Sequence, residues 1–381
     1  MTREKPAVLL SGMVAGDPHH GGATWAVLQY ALGFRRLGCA VTLVEPVAAR
    51  GNPLAASAAT AYFRAVAARF GLTDSAALLY EATRETVGLP YPRLVDAARR
   101  ADVLVNVAGM LTDPDLAGPP RTRVYLDLDP GFVQVWHAQG IDMRFAGHTH
   151  FVTVGQNVGR PGCPVPTCGR DWVPTLPPVV LAEWPVGAGV EFDGLTTVAN
   201  WRGYGSAEHG GVFYGQKAHS FRPLFGLPSR VPVRFRPALA IHPGEVADVA
   251  ALAANGWDVL DPAAVAGTPD AYRNFVCGSW AELGVAKSGY VNSRCGWFSD
   301  RSACYLAAGR PVVAQDTGFG DAVPTGEGLL SFRTADDAAA AVEAVRADYP
   351  RHARAARHLA AEVFDSDRVL PRLLRSVGVP A

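Results

Sequence analysis

The densest set of groups able to bind or polarise a ligand lies at residues 293–321. There Ser299-Asp300-Arg301-Ser302 opens a short apolar segment that closes at Gly309. Serine or aspartate in front of such a segment caps a helix. The first turn then leaves backbone N–H groups unpaired at the positive end of the helix dipole, which suits an anion. Ser299 and Ser302 add hydroxyl donors, Arg294 or Arg301 adds charge, and Gly296 permits a close approach of backbone. An apolar run at 311–315 then carries Asp316, Thr317 and Gly318 to the carboxyl edge of a sheet, where ligands of open α/β folds bind. The combination predicts a diphosphate on the helix and a sugar beside Asp316 and Thr317. A helix capped for purely structural reasons needs the serine and aspartate but not the Asp-Thr-Gly that follows.

Three further groups carry chemistry. Residues 12–22 follow the first apolar run and end in His19-His20-Gly21-Gly22. The glycine pair brings backbone close to a ligand at a helix N-terminus. Either histidine is a candidate general base, because imidazole titrates near neutrality; the alternative is an exposed pair on a mobile loop. Asp127 and Asp129 end another apolar run on one face. Asp129 can orient a histidine or bind an acceptor hydroxyl, or simply form an Asx turn before Pro130. Arg202 and Lys217 follow the first strand of the second unit as isolated cations, for which a place on the surface is the commoner fate. His148, His150, Cys163 and Cys168 are zinc-ligand types, but they contain no tight Cys-x2-Cys pair. A rigid loop with buried thiols accounts for them, and no metal is expected.

These residues need a scaffold. Short apolar runs alternate with amphipathic segments, the mark of parallel sheets wound with helices. Strands are expected at 7–11, 40–45, 103–107, 124–128, 151–154, 196–200, 238–242, 257–260 and 311–315. Helices are expected at 23–37, 55–70, 243–255, 269–283, 300–308 and 334–346. Seven prolines between 161 and 185 break the alternation and read as a connection. The expected division is 1–186, a first domain with its proline-rich connection; 187–350, a second domain; and 351–381, terminal helices. With 381 residues, 49% of them hydrophobic, the chain has material for two cores. Thirty-five basic residues balance 35 acidic ones, which argues against nucleic acid or an anionic membrane as partner. No apolar run is long enough for a signal peptide core or a membrane span, so a cytoplasmic monomer or homodimer is expected.

Arg294-Cys-Gly-Trp-Phe-Ser299, a helix, Ala308-Gly-Arg-Pro-Val-Val and the later Asp316 and Asp321 together resemble the donor signature of GT-B-fold glycosyltransferases of the family 1 and family 4 type. The resemblance implies two Rossmann-like domains facing across a cleft, 1–186 on the acceptor side and 187–350 holding the donor, with C-terminal helices crossing back to the first. It also implies a basic residue on the donor phosphates, for which Arg202 and Lys217 are the candidates. The family histidine is Arg294 here, its asparagine is Phe298, and the position of the ribose-gripping glutamate is Cys304. The diphosphate site rests on backbone and Ser299, so it survives these changes; the nucleobase stays open. What the resemblance implies is hexosyl transfer from a nucleoside diphosphate sugar to a small-molecule acceptor, natural products included, without metal or other cofactor. A sugar-nucleotide epimerase or a non-catalytic nucleotide-sugar binder on the same fold is the alternative. A nicotinamide dehydrogenase is disfavoured, because the first turn lacks the Gly-x-Gly-x-x-Gly spacing.

Overall fold

The computed structural model describes residues 5–48, 53–187 and 189–380. Fifteen strands appear among them: β1 Ala7–Ser11, β2 Ala40–Pro46, β3 Ala76–Tyr80, β4 Glu85–Gly88, β5 Val103–Val107, β6 Thr122–Asp127, β7 His150–Thr153, β8 Trp172–Pro174, β9 Phe192–Asn200, β10 Ala207–His209, β11 Val212–Tyr214, β12 Phe235–Ala240, β13 Ser279–Gly284, β14 Val312–Gln315 and β15 Leu329–Phe332. The first eight form one sheet in the order β4-β3-β2-β1-β5-β6-β7-β8, parallel except for the β3–β4 pair. A second sheet, fully parallel, runs β12-β9-β13-β14-β15, and β10–β11 is a small hairpin. Helices cover both faces, so interior strands such as β3 and β5 are buried at every residue and read as unbroken apolar runs rather than alternating ones.

Two expectations fail in instructive ways. The helix expected at 269–283 stops at Gly278, and Ser279–Gly284 becomes the middle strand of the second sheet. Thr268 caps the ten-residue helix Pro269–Gly278. Beyond it Ala281 and Leu283 are almost fully buried, one apolar segment thus serving two elements. The strand expected at 257–260 makes only single bridges, Phe235 with Trp257 and Ala238 with Leu260. Trp257 instead turns its ring into a cluster with Phe221 and Phe235.

The halves are joined by packing as well as by chain. Helix Gly21–Arg36 of the first half lies against helix Pro269–Gly278 of the second. Trp25 stands 5.0 Å from the Trp184 ring and donates to the Pro269 carbonyl at 2.8 Å. Gly21 is required by this approach, since a Cβ there would sit 2.2 Å from the Thr268 carbonyl oxygen. The terminal helix Ser366–Ser376 crosses back: Leu370 and Ser366 pack on Gly33, and Arg36 pairs with Asp367 at 2.9 Å. Arg357 ties this return in place by donating to the Trp184 carbonyl at 3.0 Å and to the Ala307 carbonyl.

The loop after β1 is fixed from below. Glu45, at the end of β2 and fully buried, accepts the N–H of Ala15 at 2.8 Å and of Gly16 at 2.6 Å. Burial pushes its carboxyl up to about 7, against the pull of those N–H groups.

Arg357→Met should lower stability by about 1.5–3 kcal/mol, read from urea unfolding, because charge-assisted bonds to buried carbonyls are lost. Glu45 gives a pH signature. Its folded pKa exceeds the unfolded value of 4.5, so the folded chain holds more protons in between. Stability should therefore fall as pH rises from about 4.5 to about 7. Glu45→Gln should remove that part of the slope in denaturation curves taken across this range.

Candidate active site

A cavity of about 970 Å³ opens between the two halves. Its walls are the ends of the elements just described. The loop at His19 and His20 and the start of helix Gly21–Arg36 form one side. The carboxyl ends of β9 and β12, the segment at Lys287 and Tyr290 beyond β13, and the start of helix Asp300–Ala307 form the other. Ser299, Asp300 and Arg301 all line it. Ser299 makes no side-chain cap to its own helix, so its hydroxyl remains for a ligand, while the first N–H groups of the helix face the Asp300 carboxylate.

Three cations meet here. Arg301 is nearly buried; its Nε donates to Glu282 at 2.5 Å and its Nη1 to the Val198 carbonyl at 3.1 Å. Its Nη2 is buried without a partner among the described residues. Burial opposes the guanidinium charge, and the Glu282 carboxylate more than restores it. Lys217 is also nearly buried, and its ammonium reaches only the Val285 carbonyl. Burial, then the charges of Arg301 and Lys287, hold its pKa well below the ordinary lysine value. Lys287, absent from the sequence expectations, is the third: it lines the cavity immediately beyond β13. A reading of residues 279–284 as a strand would have placed a lysine at the carboxyl edge and flagged it.

Asp129 does not stand free as a base. It accepts Lys287 Nζ at 3.0 Å on both oxygens, and the phenols of Tyr204 and Tyr290. Both phenols are pushed up, first by burial and then by Asp129, which keeps them as donors. Asp129 comes from the first half and its partners from the second, so the cluster is a latch across the cleft. Its lone pairs are already engaged, which removes it from the general-base candidates. Asp127 lies beneath, fully buried, accepting Gln134 at 2.7 Å and Thr153 at 2.8 Å.

Other expected residues fall elsewhere. Ser302 is buried on the sheet side, its hydroxyl 3.3 Å from where a Gly284 Cβ would be, and does not line the cavity. A helix turns about 100° per residue, so Ser302, one residue past Arg301, cannot share its direction. Arg202 is neutralised by Glu245 and also lies off the cavity. Asp316 and Gly318 line a different pocket, where Arg294 at 3.2 Å and Arg333 at 2.7 Å pair with Asp316. The Thr317 hydroxyl is spent on the Trp297 carbonyl at 2.5 Å. The sugar contacts expected of Asp316 and Thr317 are therefore not available in the cleft; of the two carboxylates that line it, Asp261 and Asp300, Asp300 is the one at the start of the helix. Gly21 and Gly22 line the cavity but are set by packing, Gly22 against the Tyr272 ring. His19 and His20 both line it, and His20 Nδ1 lies 3.2 Å from Asp17. His19 holds a left-handed backbone, φ 70°, and packs edge-on to Tyr62.

Among the described residues no three His, Cys, Asp or Glu side chains converge as metal ligands would, and His148 turns inward to Asn106 at 3.1 Å. No helix among them is long and apolar enough to cross a membrane.

No protein-family model matches the chain, and no curated protein is significantly similar to it in sequence. Solved structures are similar over nearly the whole length. HepE of Anabaena, in complex with UDP-glucose, shares 12% identity over 98% of this chain and 99% of its own, with a TM-score of 0.61. AviGT4, a glycosyltransferase involved in avilamycin A biosynthesis, shares 13% over 98% and 97%, with a TM-score of 0.58. An alpha-glucosyltransferase in complex with UDP and a 13-mer DNA shares 11% over 98% and 100%, with a TM-score of 0.60. At these identities the likeness is one of architecture: the chain has the GT-B fold, two Rossmann-like halves facing across a cleft with C-terminal helices returning to the first.

Proposed function

We propose that the protein is a glycosyltransferase that takes a sugar from a nucleoside diphosphate donor to a small-molecule acceptor. The observation that carries this is the cation set Lys217, Arg301 and Lys287 around the open start of helix Asp300–Ala307. A nearly buried ammonium with no carboxylate partner among the described residues, repelled by two further cations, is costly until an anion arrives. A diphosphate supplies that anion, and the same groups stabilise the charge that grows on it as the glycosidic bond breaks. The apolar end of the cavity, at Ile241, Val259 and Leu260, suits a nucleobase. Asp300 is placed for sugar hydroxyls. HepE is described in complex with UDP-glucose, which supports a uridine diphosphate hexose as the first donor to try.

The acceptor enters from the first half. His20, steered by Asp17, is the base we assign, with His19 beside it. The balanced charge of the chain and the avilamycin-pathway neighbour support a small acceptor over the DNA that the third neighbour holds. With the phosphate charge met by side chains and helix, transfer needs no metal. The Asp129 latch holds the two halves together at the cleft, and this supports transfer over simple nucleotide-sugar binding, because restricting water there protects the sugar from hydrolysis.

Lys217→Ala should weaken UDP binding at least tenfold by calorimetry and cut transfer or donor hydrolysis about 10²–10³-fold, the usual cost of one charge-stabilising group. Because the Lys217 pKa is lowered, wild-type UDP affinity should decline at a lower pH than an ordinary lysine would give. Unchanged binding in the variant would sink the site assignment. His20→Ala should reduce kcat about 10²–10⁴-fold with little change in UDP affinity; an equal loss in both would make His20 a binding residue instead.

A further inference from the structure

The pocket that takes Asp316 is a second site in its own right. It encloses about 430 Å³ between the loop at Asn157 and Arg160 and the segments following β14 and β15. It shares no lining residue with the cleft. The wall between them is pinned, since Gly155 bridges Trp297 and Asn157 Nδ2 donates to the Arg294 carbonyl at 2.9 Å and the Gly318 carbonyl at 3.0 Å.

Its chemistry is lopsided. Arg160, Arg294 and Arg333 line it, against the carboxylates of Asp316 and Asp321. Asp316 is only 12% exposed and is bonded to the Gly318 N–H at 2.7 Å as well as to two arginines. Burial alone would raise its pKa; the Gly318 N–H and then Arg333 and Arg294 bring it below the ordinary value, so it stays charged. One fixed carboxylate thus holds two guanidinium groups in place, and each keeps N–H edges that this single contact leaves over. Arg160 has no carboxylate partner among the described residues, nor has Asp321 an arginine or lysine. The pocket therefore offers an unmatched positive edge together with acceptor oxygens at Asp321 and Asn157 and the Ser331 hydroxyl.

We propose that this pocket binds a small phosphorylated polyol of the hexose phosphate class. Forked guanidinium groups recognise the phosphate bidentately. Asp321, Asn157 and Ser331 meet the hydroxyl groups, which a bare anion would leave unused. The volume lies within the range of small-ligand pockets. The site is independent of the nucleotide assignment, since none of its groups faces the cleft.

The test is calorimetry with glucose 6-phosphate while UDP saturates the cleft. Saturable binding is expected, with inorganic phosphate at least fivefold weaker and glucose silent. Arg160→Ala and Arg333→Ala should each weaken it at least tenfold and leave UDP affinity unchanged, which also shows that the variants are folded. Lys217→Ala should leave glucose 6-phosphate binding intact. Absence of binding at 10 mM (roughly the weakest affinity worth a site) would overturn the proposal. So would equal affinity for inorganic phosphate, indifference to both arginine variants, or loss on Lys217→Ala.

Discussion

A lysine ammonium out of water, facing two more cations, is the constraint on which the rest of the cleft depends. Lys217 donates to a carbonyl and pairs directly with no carboxylate; Glu282 and Asp300 offset its charge only in part, and burial still holds its pKa well below the ordinary value. Removing a cation from water without a counter-charge is among the costlier things a fold can do. The arrangement is tolerable because Arg301 is itself anchored by buried Glu282, and Lys287 by Asp129, leaving one net positive position pointed at open volume. Helix Asp300–Ala307 adds its dipole to the same point.

The anchoring of Lys287 joins electrostatics to domain geometry. Its carboxylate partner belongs to the opposite half, as do the carbonyl accepting from Trp25 and the backbone facing Gly21. The cleft is thus closed by groups that also define its charge. A donor diphosphate that draws on Lys287 competes with Asp129 for it, so ligand occupancy and the grip between the halves are linked. The two tyrosines remain on Asp129 whichever way the lysine turns, which holds the halves in register while the ammonium is shared.

Much of this was legible in the residues and some was not. Period and capping located helix Asp300–Ala307, and its link to an anion site follows from backbone alone. Ser302 was misjudged because it lies one residue beyond Arg301 and a helix turns it under the sheet. Asp316 was misjudged for a different reason: its direction is set by two arginines, one of them Arg333, seventeen residues on and outside any motif. Lys287 was hidden by the error over residues 279–284, where a buried strand follows a helix with only Gly278 between and hydrophobicity alone cannot mark the change. β3 lacks a local mark as well, since Ala76–Tyr80 opens on two alanines, a residue that favours helix over strand. Pairing across sequence distance decides such residues, and no local pattern carries it.

Gly33 and its partners bear on how the chain is made. The face of helix Gly21–Arg36 that Gly33 opens is filled by Leu370 and Ser366, which leave the ribosome more than three hundred residues later. Until then the first half carries an uncovered apolar groove, and it cannot reach its final form by folding on emergence as a lone domain. Its neighbours Trp25 and Phe34 belong to one continuous core with Trp184, Phe364 and Leu370. Synthesis therefore runs with an early half held waiting, a stage at which a chaperone or a slow codon has something to act upon.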